Sequence, residues 1–133
     1  YTKSAHPPAA AVGLRNLQHL EPEHLVENAA AMGERLGDGY QQALGKHANV
    51  TNIRHLGLIA GLTLVKDAAT GEAFAPAEGI GGKVAKHMRE EGGVITRFVG
   101  DNLVFAPPLI VSASEVDTIV EATANAIHAV TGK

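Results

Sequence analysis

The sequence predicts an α+β domain, a small antiparallel-rich sheet covered by helices in the order ααββαββα. Three observations carry this expectation. Two segments pair short alternating strands across a glycine-containing turn, the signature of antiparallel hairpins. Apolar residues elsewhere recur every three or four positions, as on one face of a helix. The strands come two at a time, which is not the strand–helix alternation of a parallel sheet.

His6-Pro7-Pro8 opens the first helix, because proline fits a first helical turn where no N–H is required. Ala10, Leu14 and Leu17 continue it at helical spacing. Glu21-Pro22 restarts a second, longer helix, whose apolar stripe is Leu25, Ala29, Met32, Leu36, Tyr40 and Ala43. Gly33, Gly37 and Gly39 each weaken it by roughly 1 kcal/mol relative to alanine. Close packing against the sheet would retain them; fraying near Gly37 is the other possibility.

Two strands follow, over residues 50–55 and 58–65, meeting near Leu56-Gly57. In the second, Leu58, Ala60, Leu62 and Leu64 share a face, and Ile59, Gly61, Thr63 and Val65 the other. That opposite face is apolar enough for both to be covered. Residues 67–76, with Thr70-Gly71, form a loop and the candidate for the most mobile segment. A third helix spans residues 78–91 and stops at Gly92-Gly93. The second hairpin has strands over 94–99 and 103–106, joined by Gly100-Asp101-Asn102. Those three residue types tolerate the positive φ of a tight turn. Ser112 and Glu115 form a capping-box pair for a last helix that buries Val116, Ile119, Val120, Thr123, Ile127 and Val130.

At 133 residues the chain is one domain with room for a genuine core. It has no cysteine, so disulfides and thiolate chemistry are excluded. A net charge of −3 with 11 scattered basic residues speaks against a nucleic-acid partner. Lys83, Lys86 and Arg89, followed by Glu90 and Glu91, read as a solvated helix face. No apolar run is long enough to cross a bilayer and no leader segment is recognisable, so the expectation is a cytoplasmic protein with no membrane partner. The chain starts at Tyr1 and runs almost at once into a helix, which reads as a piece of something longer.

The most telling residue is Arg97, a lone charge inside the apolar hairpin Val94-Ile95-Thr96-Arg97-Phe98-Val99. A guanidinium on a rigid hairpin can grip a carboxylate through two parallel hydrogen bonds. The competing reading is an edge-strand arginine whose head reaches water. Gly79-Ile80-Gly81-Gly82-Lys83-Val84 is not a phosphate loop, since Ala77 and Val84 break the motif and no strand leads into it. Flexibility at the helix start is the better explanation. The seven histidines show no metal-ligand spacing, and no serine sits in a nucleophile elbow. Read from its residues alone, the chain holds no complete catalytic constellation.

Three stretches supply more. Tyr1-Thr2-Lys3-Ser4-Ala5-His6-Pro7 resembles the T-Y-S-G-H-P segment of class III, pyridoxal-phosphate-dependent aminotransferases. Arg54-His55-Leu56-Gly57-Leu58-Ile59-Ala60-Gly61-Leu62-Thr63-Leu64-Val65 is similar to that family's V-R-G-x-G-L-I-x-x-x-E-L-V strand pair. The run from Gly93-Val94-Ile95-Thr96-Arg97 through Gly100-Asp101 to Pro107-Pro108-Leu109-Ile110 is similar to its G-x-I-x-R-x-x-G-D-x-[IL]-x-x-x-P-P-L-I block. The resemblance covers essentially the whole chain.

It implies the C-terminal small domain of a fold-type I transaminase, which moves an amino group from an amine or an amino acid, ω-amino acids included, to a keto acid. The implied cofactor is pyridoxal 5'-phosphate and the implied assembly a homodimer. Thr2 would bind the cofactor phosphate of the neighbouring subunit, and Arg97 the substrate carboxylate. No catalytic residue is expected here, because the family's Schiff-base lysine lies on the large domain. Lys3, Ala5 and Thr63 depart from the usual aromatic, glycine and glutamate, and Lys3 puts the pocket edge in doubt. Two rivals remain: a non-enzymatic binding or dimerisation module of the same shape, and a relative doing other chemistry on the same cofactor.

Overall fold

The fold, taken from a computed structural model, is described for residue 4 and residues 6–132. Thr2 and Lys3 therefore lie outside the described residues. The element order is α1 (Pro7–Leu20), α2 (Leu25–Leu44), β1 (Val50–Leu56), β2 (Ile59–Leu64), α3 (Ile80–Glu90), β3 (Arg97–Val99), β4 (Asn102–Phe105) and α4 (Ala113–Thr131). This is the expected ααββαββα order. The four strands form one antiparallel sheet in the order β1-β2-β4-β3.

Helices α2, α3 and α4 build the core on one face of that sheet. Leu36, Tyr40 and Leu44 of α2 meet Leu62, Leu64 and Leu103 of the sheet, and all are essentially sealed from solvent. Val84 and Met88 of α3 and Val116 and Ile127 of α4 complete the core. The rings of Tyr40 and Phe105 lie 5.2 Å apart, tilted. Ala43 is exposed and Leu44 takes its place in the stripe, because the buried residues step 33, 36, 37, 40, 44 along α2.

Several boundaries differ from expectation for local reasons. α2 starts at Leu25, because residues 21–24 form turns and His24 adopts a left-handed conformation with φ 52°. A short 3-10 turn, Pro76–Glu78, precedes α3, so Glu78, expected to open that helix, belongs to the turn and α3 begins at Ile80. β3 starts at Arg97 because Val94 is engaged elsewhere: its N–H donates to the Met88 carbonyl and closes α3. Thr96 then spends its hydroxyl on the Val104 carbonyl at 3.0 Å. α1 forms, but none of its residues is buried, so Leu14 and Leu17 face outward.

The α2 glycines are packing residues, and fraying at Gly37 is ruled out. A Cβ on Gly33 would fall 2.4 Å from the Gly57 backbone, and one on Gly37 2.3 Å from the His55 ring. The loop expected to be mobile carries a bridge between Asp67 and Glu72 and an ion pair between Lys66 and Glu72 at 2.7 Å. Asn49, which no sequence pattern marks, is buried and donates to the carbonyls of Val65 and Lys66. It ties the start of β1 to the end of β2.

Candidate functional site

The Arg97 hairpin is held at its turn from several sides. Gly100 turns the chain with φ 57°, a conformation in which glycine carries no Cβ penalty. The Asp101 carboxylate accepts the Gly81 N–H at 2.9 Å, at the start of α3. The Asp101 carbonyl accepts the Leu64 N–H at 2.8 Å. Asn102 donates to the Val99 carbonyl at 3.2 Å and accepts the Thr63 hydroxyl at 2.7 Å. A fixed turn fixes the register of both strands and so the direction in which Arg97 leaves the sheet.

That direction follows from the pairing. Arg97 pairs with Val104, Val104 with Gly61, and Gly61 with Arg54, so these four residues form one cross-strand row on one face. The neighbouring row, Phe98, Leu103 and Leu62, faces the helices, and the Phe98 ring packs against Gly82 of α3. The Arg97 row thus lies on the face away from the helices. Ile59 and Leu56 share that face and are 64% and 84% exposed. The expectation that both faces of β2 are covered is therefore not met at Ile59.

Arg97 is exposed on the edge strand, with no side-chain hydrogen bond or ion pair among the described residues. Both readings made from the sequence accommodate that position. A hollow of about 590 Å³ opens beside it, lined by Thr96, Arg97, Val104, Pro107, Pro108 and Ile119. The Pro107–Pro108 segment is anchored beyond it, where Asn28 of α2 donates to the Leu109 and Val111 carbonyls at 2.7 and 3.0 Å. A second hollow, of about 340 Å³, lies across the row and is lined by Arg54, His55, Leu56, Ile59, Gly61 and Val104. Val104 belongs to both.

The glycines of the false phosphate loop find their purpose here. Gly81 lets α3 touch the hairpin turn, since its Cβ would sit 2.2 Å from the Gly100 carbonyl oxygen. A close approach between backbones, not flexibility, accounts for that residue. Sequence reasoning did not single out Arg54. Alternation put it on a face, but only the register reveals that this is the face of Arg97.

Pyridoxal phosphate needs a lysine amine for its imine and a set of donors for its phosphate. Lys46, Lys66, Lys83 and Lys86 are all exposed, and none lines the hollows beside Arg54 and Arg97. The described residues do not by themselves fit that group. Among them no cluster of three His, Asp or Glu side chains converges on a point, and no helix is long and apolar enough to cross a membrane.

Comparison with known proteins bears on all of this. The family model for class III aminotransferases matches residues 1–127. The chain is 37% identical to a diaminobutyrate–2-oxoglutarate transaminase of Halomonas elongata, covering 98% of the chain and 28% of that protein. It is 35% identical to a putrescine–pyruvate aminotransferase of Pseudomonas aeruginosa, covering 90% of the chain and 26% of that protein. Among solved structures, a transaminase from an ancestral-reconstruction study superimposes with a TM-score of 0.94 at 40% identity, over 99% of the chain and 29% of that structure. The chain thus spans between a quarter and a third of the length of these relatives.

Proposed function

The chain belongs to the class III aminotransferase family, and we propose that it is the C-terminal small domain of a pyridoxal-phosphate-dependent transaminase. The full enzyme moves an amino group from an amine or ω-amino acid to a keto acid and works as a cytoplasmic homodimer. When bound, the cofactor supplies the aldehyde that takes up the amine and the electron sink for the proton shift. The lysine it needs belongs to a part of the enzyme outside this chain. Thr2 contributes a hydroxyl to the phosphate of the neighbouring subunit's cofactor.

Arg97 does the recognition. The observation that carries this reading is an exposed guanidinium without an acidic partner among the described residues, on a hairpin strand whose turn is pinned at Asp101 and Asn102, beside a hollow. An incoming carboxylate would meet two parallel N–H donors there, on a strand whose direction the pinned turn already fixes. A charge-assisted pair of this kind contributes about 1.5–3 kcal/mol.

Arg97→Ala in the full-length enzyme tests the reading. It should raise the KM for the keto acid by roughly tenfold or more and leave the KM for an uncharged amine donor much less affected. Equal effects on both substrates would remove the carboxylate role. The chain by itself should transfer no amino group.

A further inference from the structure

A guanidinium stands at each end of one cross-strand row. Arg54 on β1, Gly61 on β2, Val104 on β4 and Arg97 on β3 are successive partners, all on the face the helices leave open. We infer that Arg54 is a second anion-binding arm of the substrate site, and that this site takes keto acids with two carboxylates. The inference rests on Arg97 gripping the first of them.

The local chain aims Arg54 inward. The β1–β2 register shifts between Thr51 and Arg54, and Asn52 within that bulge is left-handed with φ 51°. Bulges re-aim the side chains that follow them. Here the Asn52 carbonyl accepts a hydrogen bond from Arg54 Nη1 at 3.0 Å. The rest of the guanidinium is laid over Gly61, with Cζ and Nη2 each 3.6 Å from the point where a Cβ would stand. Glycine at 61 leaves that space to the guanidinium.

Both arginines are left without an acidic partner among the described residues. Arg35 is held by Asp117 and Arg89 lies beside Glu90, whereas neither Arg54 nor Arg97 meets a carboxylate among the described residues. An arginine carries five N–H donors in a fixed fork, and one bond to Asn52 leaves Arg54 with donors to spare. The floor between the arms is Gly61 and Val104, without a bulky side chain. Leu56 and Ile59 wall the hollow on the Arg54 side.

The span fits a short diacid. Three strand spacings of about 4.8 Å put the two backbones roughly 14 Å apart. Arg54 already leans over Gly61, and a matching reach by Arg97 would shorten that gap toward the length of a five-carbon dicarboxylate. A monocarboxylate such as pyruvate reaches only one arm.

The test uses the full-length enzyme with pyruvate and 2-oxoglutarate as competing acceptors, and with glutarate, an unreactive five-carbon diacid, as inhibitor. Arg54→Ala should lower the ratio of kcat/KM for 2-oxoglutarate to that for pyruvate at least about tenfold, as expected for a lost charged hydrogen bond. It should weaken inhibition by glutarate by a similar factor, and Arg54→Lys should recover part of both. Because the readout is a ratio within one variant, a general loss of folded enzyme does not imitate it. An unchanged ratio in Arg54→Ala overturns the second arm while leaving Arg97 intact. So does a wild-type enzyme that uses pyruvate and refuses 2-oxoglutarate. A wild-type enzyme that transfers amino groups to neither overturns this inference and the transaminase reading together.

Discussion

Asp101 and Gly81 meet where the Arg97 hairpin touches α3: the Asp101 carboxylate accepts the Gly81 N–H at 2.9 Å. The helix start thereby gains an acceptor and a negative charge where both are favourable. The same contact forbids a side chain, since a Gly81 Cβ would lie 2.2 Å from the Gly100 oxygen and 3.1 Å from Asp101 Cα.

Gly81→Ala should therefore destabilise the domain by about 1–3 kcal/mol, because backbone cannot step aside as a side-chain tip can. Asp101→Ala should cost about 1 kcal/mol and Asp101→Asn less, since the amide keeps an acceptor oxygen. Urea unfolding of the three variants measures this. A neutral Gly81→Ala would mean that the hairpin and helix are not in contact.

Glycine-to-alanine changes in the first two helices should carry opposite signs. Gly13 has nothing within 4 Å of a would-be Cβ, so Gly13→Ala should stabilise by up to about 1 kcal/mol through helix propensity. Gly33 faces the Gly57 backbone at 2.4 Å, and Gly33→Ala should destabilise by about 1–3 kcal/mol despite the same propensity gain. Gly37 faces a His55 ring that can rotate, so Gly37→Ala should fall between the two. Thermal unfolding midpoints rank the three.

Acid should unfold the domain partly through α4. Arg35 donates Nε to Asp117 Oδ1 at 2.8 Å and Nη2 to Oδ2 at 2.7 Å, a bidentate pair joining α2 to α4. Those hydrogen bonds hold the Asp117 carboxyl below its ordinary 3.8. The Ser112 backbone N–H, then its hydroxyl, hold Glu115 below 4.5. Both native carboxyls bind protons less readily than in the unfolded chain. Their contribution is therefore present above the ordinary values and lost as pH falls through the lowered ones. Asp117→Asn should flatten the fall of the melting midpoint as pH drops below the ordinary 3.8 of that carboxyl, and salt should weaken the difference. A variant with the wild-type acid limb would remove Asp117 from this account.

Alkali should act through Tyr40. Burial raises its phenol above the ordinary 10.0, against a hydrogen bond with Thr123 that lowers it. With the native value above the unfolded one, stability is full below about pH 10 and falls as pH rises beyond it. Tyr40→Phe should abolish that alkaline loss. At neutral pH it should cost only on the order of 1 kcal/mol, because the Thr123 hydroxyl keeps the Ile119 carbonyl at 2.7 Å. Tyr40→Ala, which empties a sealed core position, should cost about 3–5 kcal/mol. Denaturation at pH 8 and above on all three separates these terms.

The parts of this protein decided within a few residues were readable before any coordinates. The Ser112–Glu115 capping box forms as its spacing requires, with the Ser112 N–H donating to Glu115 at 2.8 Å. The turn at Gly100-Asp101-Asn102 and the element order follow from the same kind of local chemistry. Two boundaries were read too far even so: Val94 closes α3 instead of extending β3, and His24 is left-handed where the helix expected from Glu21-Pro22 would already be running.

Tertiary structure alone decided which residues face one another. Inserting β4 between β2 and β3 sets the row Arg54, Gly61, Val104, Arg97, and no short window of sequence holds two of its outer members. Alternation says that a strand has two faces; only the pairing of distant segments says which one each arginine occupies, since a slip of one residue would send it into the core. The glycines obey the same division. Their weakness as helix formers is written in the residue type, and their necessity lies in the backbone that approaches them.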